Sequence, residues 1–232
     1  MIDLHSHILP NMDDGSQSTE ETAELLKLLT EQGVTTLVAT PHFYPHLDNP
    51  EDFLERRSAS LANMPQVENS PELLLGAEVA YFSGLSCSEE MISLQLGNTG
   101  LLLIEMPFTP WSEHIIHEIC EIPATLGLTP VLAHIDRYLA NNQLPKHLNN
   151  LISCGVYLQC NADSFLSWRT RGKVLKLMKN GYIQFLGSDC HNLTSRKPQL
   201  GEAAKVIQKK LGEEFWEEFC DYAEKLLRLN NK

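Results

Sequence analysis

The chain has 232 residues, 43% hydrophobic and 21% charged, an ordinary composition for a soluble globular protein long enough to bury a substantial core. Its formal net charge of −12 excludes the basic footprint that nucleic-acid binding needs and argues against docking on anionic lipid. No apolar run approaches the ~18 residues of a membrane helix, so no membrane insertion is expected.

Short β-rich runs alternate with helical patterns along the chain. The first strand is predicted over 1–4, MIDL. A helix follows over 20–31: Ser18 with Glu21 reads as a capping box, Leu25, Leu28 and Leu29 supply an apolar stripe, and Gly33 ends it. The β-branched run VTTLVAT, 34–40, is the second strand, and a helix is expected over 51–63. The third strand is predicted over 72–79 and the fourth over 101–106, stopped by Pro107. A helix over 112–126, a fifth strand over 129–134, a helix over 144–153 and a sixth strand over 155–161 come next. A helix over 170–179 and a seventh strand over 182–189 follow. The tail, 198–229, reads as two helices parted near Gly212. Within it Phe215, Phe219, Tyr222 and Leu226 have helical spacing, which reads first as core packing and second as an oligomer interface.

Strands alternating with helices imply βαβ units and a parallel sheet. Seven units in a chain of this length suggest a single α/β barrel related to the eight-fold one, with a doubly wound open sheet as the alternative. No internal repeat or low-complexity linker divides the chain. It is read as one domain over 1–232, with 198–229 as helices packed on the barrel.

The residues at the C-terminal ends of these strands carry the chemistry. His5, His7, Asp13 and Asp14 follow the first strand and His42 the second. Glu78, Glu105 and His134 end the third, fourth and fifth, and Asp189 and His191 end the seventh. Each motif alone is weak: His-x-His is common on surfaces, and Asp-Asp-Gly is usually a turn. Their joint placement is not weak. In a parallel α/β barrel the strand C-termini converge on one face, where sites are built. Glu78 and Glu105 follow apolar runs, and burying a carboxylate there demands a cation, either a metal or a basic side chain. His46, His114, His117 and His147 fall in predicted loops or helices and read as ordinary histidines.

The six cysteines form no CxxC pair, and no secretory pattern opens the chain. Free thiols and a cytoplasmic location are expected. The segment GSDCHNLTSR, 187–196, admits two readings. Cys190 and Arg196 have the spacing of a thiol phosphatase loop. Asp189 and His191 on either side of that cysteine make a good pair of metal ligands. HNLTS holds no glycine to curl round an anion, and Asp189 would raise the thiol pKa, so the metal reading is favoured. Alternation along an extended segment then turns Cys190 away from its neighbours.

The motifs DLHSHILPNMDDG, VATPH, GAEV, LLIEMPF, LAHIDRY and LGSDCHN, in order from residue 2 to about 196, resemble the polymerase and histidinol phosphatase (PHP) family of metal hydrolases. Among its members they are most similar to the CpsB/CapC-type tyrosine-protein phosphatases of bacterial capsule and exopolysaccharide operons. The resemblance implies a distorted seven-stranded β/α barrel holding two or three divalent metals. The implied ligands are His5, His7, Asp14, His42, Glu78, Glu105, His134, Asp189 and His191, with Arg137 and Arg196 on the phosphate. Asp14 rather than Asp13 is the choice the resemblance implies. Mixed nitrogen and oxygen donors suit manganese first, and iron, zinc, cobalt or magnesium after it. The implied reaction is hydrolysis of a phosphotyrosine by metal-activated water, on the tail of a polysaccharide-assembly tyrosine kinase. The alternatives are a small-molecule phosphatase of the histidinol-phosphate type, the thiol phosphatase, and a non-catalytic metal-stabilised binding module.

Overall fold

The computed structural model describes residues 1–139 and 143–228. In chain order its strands are β1 (Ile2–Ser6), β2 (Thr36–Ala39), β3 (His42–Phe43), β4 (Glu72–Leu75), β5 (Glu78–Ala80), β6 (Leu101–Glu105), β7 (Thr129–Leu132), β8 (Tyr157–Asn161) and β9 (Phe185–Gly187). Its helices are α1 (Thr19–Glu31), α2 (Pro50–Ala62), α3 (Glu113–Thr125), α4 (Gln143–Ser153), α5 (Arg171–Lys179), α6 (Leu200–Leu211) and α7 (Glu213–Arg228). The expected tail end at 229 lies outside the described residues.

Every strand pairing is parallel. One sheet has the order β1-β2-β4 and the other β3-β5-β6-β7-β8-β9. Two expected strands are broken. The run 34–40 stops before Pro41 and resumes as β3, because proline has no N–H to continue the ladder. The run 72–79 divides around Gly76. A Cβ on Gly76 would stand 2.4 Å from Leu96 Cδ2, so the chain passes where only glycine fits. Hydrogen bonding runs through both breaks: Gly76 N donates to Ala39 O (2.8 Å) and Glu78 N to Pro41 O (3.0 Å). The last strand returns to the first through Asp189 N to His5 O (2.8 Å) and His7 N to Cys190 O (3.0 Å). The parallel sheet is therefore curled, and the α/β architecture expected from the alternation is present.

The helices start where side chains relieve unpaired N–H groups. Ser18, Asn49 and Ser112 each accept from the backbone N–H three residues on. In the expected capping box, Glu21 Oε2 reaches Gln17 N (2.9 Å) rather than closing on Ser18. β6 is buried on both faces, as a parallel strand under helices is: Leu101, Leu102, Leu103 and Ile104 are all fully buried. α7 covers the inner cluster from the N-terminal side of the strands. Its Ala223, Leu226 and Leu227 pack with Leu4, Val38, Leu103 and Val131. The tail stripe is thus corrected in phase. Trp216, Ala223, Leu226 and Leu227 form the buried face, Phe215 and Phe219 are partly buried, and Tyr222 is exposed.

The expectation of six free thiols is also corrected. Cys120 on α3 and Cys154 just after α4 form a disulfide, with Cα atoms 5.3 Å apart. Cys87, Cys160, Cys190 and Cys220 are free. The pairing brings together residues 34 apart in sequence, and cysteine spacing holds no signal of that kind.

Candidate metal centre

Because all strands run in parallel, their C-terminal ends open on one face, and the nine implied ligands meet there. Glu78, at the start of β5, is the hub. Its Oε2 stands 2.9 Å from His42 Nδ1, 3.3 Å from His5 Nε2 and 3.4 Å from His7 Nε2. Its Oε1 is 2.7 Å from His134 Nε2, which is 3.3 Å from Glu105 Oε1. On the outer side Asp14 Oδ1 lies 3.4 Å from His191 Nε2 and 3.5 Å from His42 Nε2. Asp189 Oδ1 is 3.6 Å from His7 Nε2 and 3.8 Å from His5 Nε2. Three overlapping groups bring one donor atom from each residue within 4.8 Å: His7, Asp14, His42 and His191; His5, His7 and Asp189; His42, Glu78 and Glu105. His134 joins them through Glu78 and Glu105.

The donor set fits divalent cations on two observations. First, Glu78 Oε2, His42 Nδ1 and His191 Nε2 are buried atoms with no hydrogen-bond partner, although Glu78 Oε2 faces three imidazole nitrogens within 3.4 Å. Buried polar atoms left without a partner are places for an ion or an ordered water, and these three lie among the clustered carboxylates and imidazoles. Second, the pocket demands positive charge. Burial would push His7 and His134 down, yet the carboxylates outweigh it. Asp13 and Glu78 hold His7 at about 10, and Glu105 and Glu78 hold His134 at about 9. Burial would raise Glu78 and Asp189, but the surrounding imidazoles keep both well below the ordinary carboxylate range.

A second layer orients the donors. Asp13 Oδ2 is 2.6 Å from His7 Nδ1 and also accepts from His42 N (3.0 Å). This leaves His7 Nε2 facing the hub. On β8, Gln159 Oε1 accepts from His134 N (2.6 Å) and lies 3.3 Å from His5 Nδ1. Gln159 Nε2 donates to Asn161 Oδ1 (3.0 Å), and Asn161 Nδ2 donates to Asp189 Oδ2 (2.8 Å). Sequence reasoning missed both amides, since β8 is the strand that ends in no ligand type. The available signal was two amides, at 159 and 161, on one face of an otherwise apolar strand. Two implied ligands also hold left-handed backbone, His134 (φ 34°) and Asp189 (φ 51°), a strain that persists only where the surroundings fix it.

Arg137 and Arg196 converge on the two oxygens of Asp189, at 2.5 and 2.6 Å. Each remains about a third exposed. Between them opens a cavity of about 190 Å³, lined also by Asn161, Ser188 and Lys197 and by the carboxylates of Asp136, Asp163 and Asp189. Arginine forks on the rim of such a cavity suit an oxyanion. A larger groove, about 850 Å³, lies between α2 and the 3-10 turn at 89–94, and no histidine lines it.

Cys190 is no part of this surface. It is fully buried in the apolar core, and burial, then the neighbouring Asp3 and Asp189 charges, pushes its thiol far above the ordinary range. The thiol-phosphatase reading of GSDCHNLTSR fails on that burial. The four remaining histidines stay outside the centre. His114 and His117 pair with Glu118 and Glu121 on α3, His46 stands beside Tyr44, and His147 is buried near Trp111.

The model of the family described as "Capsular polysaccharide synthesis, CpsB/CapC" matches residues 1–228. Tyrosine-protein phosphatase CpsB of Streptococcus agalactiae serotype V is 31% identical over 226 residues, 92% of each chain. Tyrosine-protein phosphatase CpsB of Streptococcus pneumoniae is 34% identical over 223 residues, 91% of each chain. A solved structure superposes with a TM-score of 0.83 at 27% identity, over 98% of this chain and 94% of the other. It comes from crystal structures of YwqE from Bacillus subtilis and CpsB from Streptococcus pneumoniae, described as unique metal-dependent tyrosine phosphatases.

Proposed function

The chain belongs to the CpsB/CapC family, and on that premise we propose that it is a metal-dependent protein-tyrosine phosphatase. The observation that carries this reading is Glu78 Oε2, buried and facing three imidazole nitrogens within 3.4 Å without a hydrogen-bond partner. The proposed ligands are His5, His7, Asp14, His42, Glu78, Glu105, His134, Asp189 and His191. Their three overlapping donor groups support two or three divalent ions, manganese first given the share of carboxylates. Bound there, the metal supplies Lewis acidity and an activated water for in-line attack on phosphorus.

The chain's own residues do the rest. Arg137 and Arg196, already drawn together by Asp189, present N–H forks to the non-bridging phosphate oxygens. Asp13, Gln159 and Asn161 hold imidazole and carboxylate donors in register, so little reorganisation is needed on reaction. The phenolate of tyrosine leaves with a pKa of about 10, so it demands less proton donation than an alkyl alcohol.

The finer parts of the reading follow. The hydrogen bonds through both strand breaks and from β9 back to β1 support a distorted seven-stranded barrel, in which β2 with β3 and β4 with β5 are each one interrupted strand. The family match over 1–228 supports one catalytic unit that includes the C-terminal helices. The partner is a phosphotyrosine protein, a capsule-assembly tyrosine kinase by family association, and that association, rather than the thiols, two of which are paired, supports a cytoplasmic location. No helix among the described residues is long and apolar enough to cross a membrane.

The test is turnover of a chromogenic aryl phosphate under chelation and after manganese is restored. Activity lost and then regained is expected. Activity that survives full chelation sinks the metal mechanism. Phosphotyrosine binding without hydrolysis by the metal-loaded protein would make it a binding module instead.

A further inference from the structure

Large apolar side chains are exposed at seven places among the described residues, and their distribution is uneven. Three, Leu61, Ile92 and Tyr222, lie on α2, on the 3-10 turn at 89–94 and on α7. The other four are Leu47, Phe108, Trp168 and Leu193, exposed by 71%, 61%, 80% and 37%. All four sit on connections that leave the C-terminal ends of parallel strands: β3, β6, β8 and β9 respectively. None lies on the connections at the opposite end of the strands, among the described residues. Single exposed apolar residues need no explanation, but four of the seven gathered on connections at one end of the strands call for one.

Each of the four connections also follows a residue of the centre. His42 precedes Leu47, Glu105 precedes Phe108, Asn161 precedes Trp168, and Leu193 stands between His191 and Arg196. Contacts tie two of them down. Phe108 stacks on Tyr138 at 5.7 Å, and Tyr138 lies 6.1 Å from His134. Trp168 is covered on one side by the Arg169 guanidinium, 5.2 Å from the ring centroid. The rest of the indole faces outward. All four connections leave the strand ends that carry the imidazoles and the two arginines, so these side chains stand on the face where the centre opens.

We propose that these four side chains form an apolar rim that receives the residues flanking phosphotyrosine in a protein substrate. The inference rests on the phosphatase reading above and adds a sequence preference to it. While the arginines take the phosphate, the substrate residues on either side of the tyrosine lie across the mouth. Apolar or aromatic flanks bury area against Trp168, Phe108, Leu47 and Leu193. Small polar flanks bury almost none.

The experiment compares two phosphotyrosyl peptides of equal length and charge on the manganese-loaded protein. In one the tyrosine is flanked by Leu and Phe, in the other by Ser and Gly. A small aryl phosphate is assayed alongside. The wild type is expected to favour the apolar-flanked peptide in kcat/KM by roughly tenfold. In the double variant Leu47→Ser, Trp168→Ala that ratio is expected to fall toward one. Both positions are largely solvent-exposed, and circular dichroism checks that the fold is kept. Equal use of both peptides by the wild type, or a ratio the double variant leaves intact, overturns the rim while the phosphatase reading stands. A wild type that turns over neither the aryl phosphate nor either peptide overturns both.

Discussion

Asp13 Oδ2 lies 2.6 Å from His7 Nδ1, while the next residue, Asp14, directs Oδ1 toward His42 and His191. On the proposed ligand set these adjacent carboxylates have separate tasks: one orients an imidazole from behind, the other joins the donors in front. Asp13→Asn should weaken manganese binding by about 10- to 100-fold while the apo protein stays folded. Asp14→Ala removes a donor and should lower the number of ions bound. Calorimetric titration reads the first effect, and elemental analysis of the loaded protein reads the second.

Gln159 links two strand ends through one oxygen, accepting from His134 N and facing His5 Nδ1. Gln159→Leu keeps the volume roughly and strands a buried N–H. It should cost about 1–3 kcal/mol of apo stability in urea unfolding. It should also weaken metal binding, whereas a merely structural role would leave the metal titration unmoved.

Arg137 and Arg196 share Asp189 and remain about a third exposed. Arg137→Ala and Arg196→Ala should each lower kcat/KM for aryl phosphate, on the order of 10²-fold. Arg196→Lys should recover only part of that, because a point charge does not replace a planar fork. Metal content should hold in all three, which separates loss of the phosphate clamp from loss of the ions.

Cys190 has no solvent exposure and packs in the core. Cys190→Ala should retain aryl phosphate turnover within a factor of about three, the small volume change costing little. Iodoacetamide on the native protein should label Cys87, the exposed thiol, and leave Cys190 unmodified. Mass spectrometry after brief treatment decides it.

The sequence by itself determined the alternation of strand and helix, hence the parallel sheet and the face on which ligand-type residues gather. It did so because hydrophobic periodicity and capping are local, and because a parallel sheet sends every strand end the same way. His5, His7, His42, Glu78, Glu105, His134, Asp189 and His191 were legible for that reason. What only the tertiary structure decided depends on contacts between distant segments. Gly76 divides a strand because Leu96 stands against it. Cys120 finds Cys154 because α3 packs beside α4. Gln159 matters because His134 and His5, 25 and 154 residues away, come within hydrogen-bonding reach of its one oxygen. Spacing along a chain holds no record of such meetings; folding creates them when the sheet curls and brings its first and last strands together.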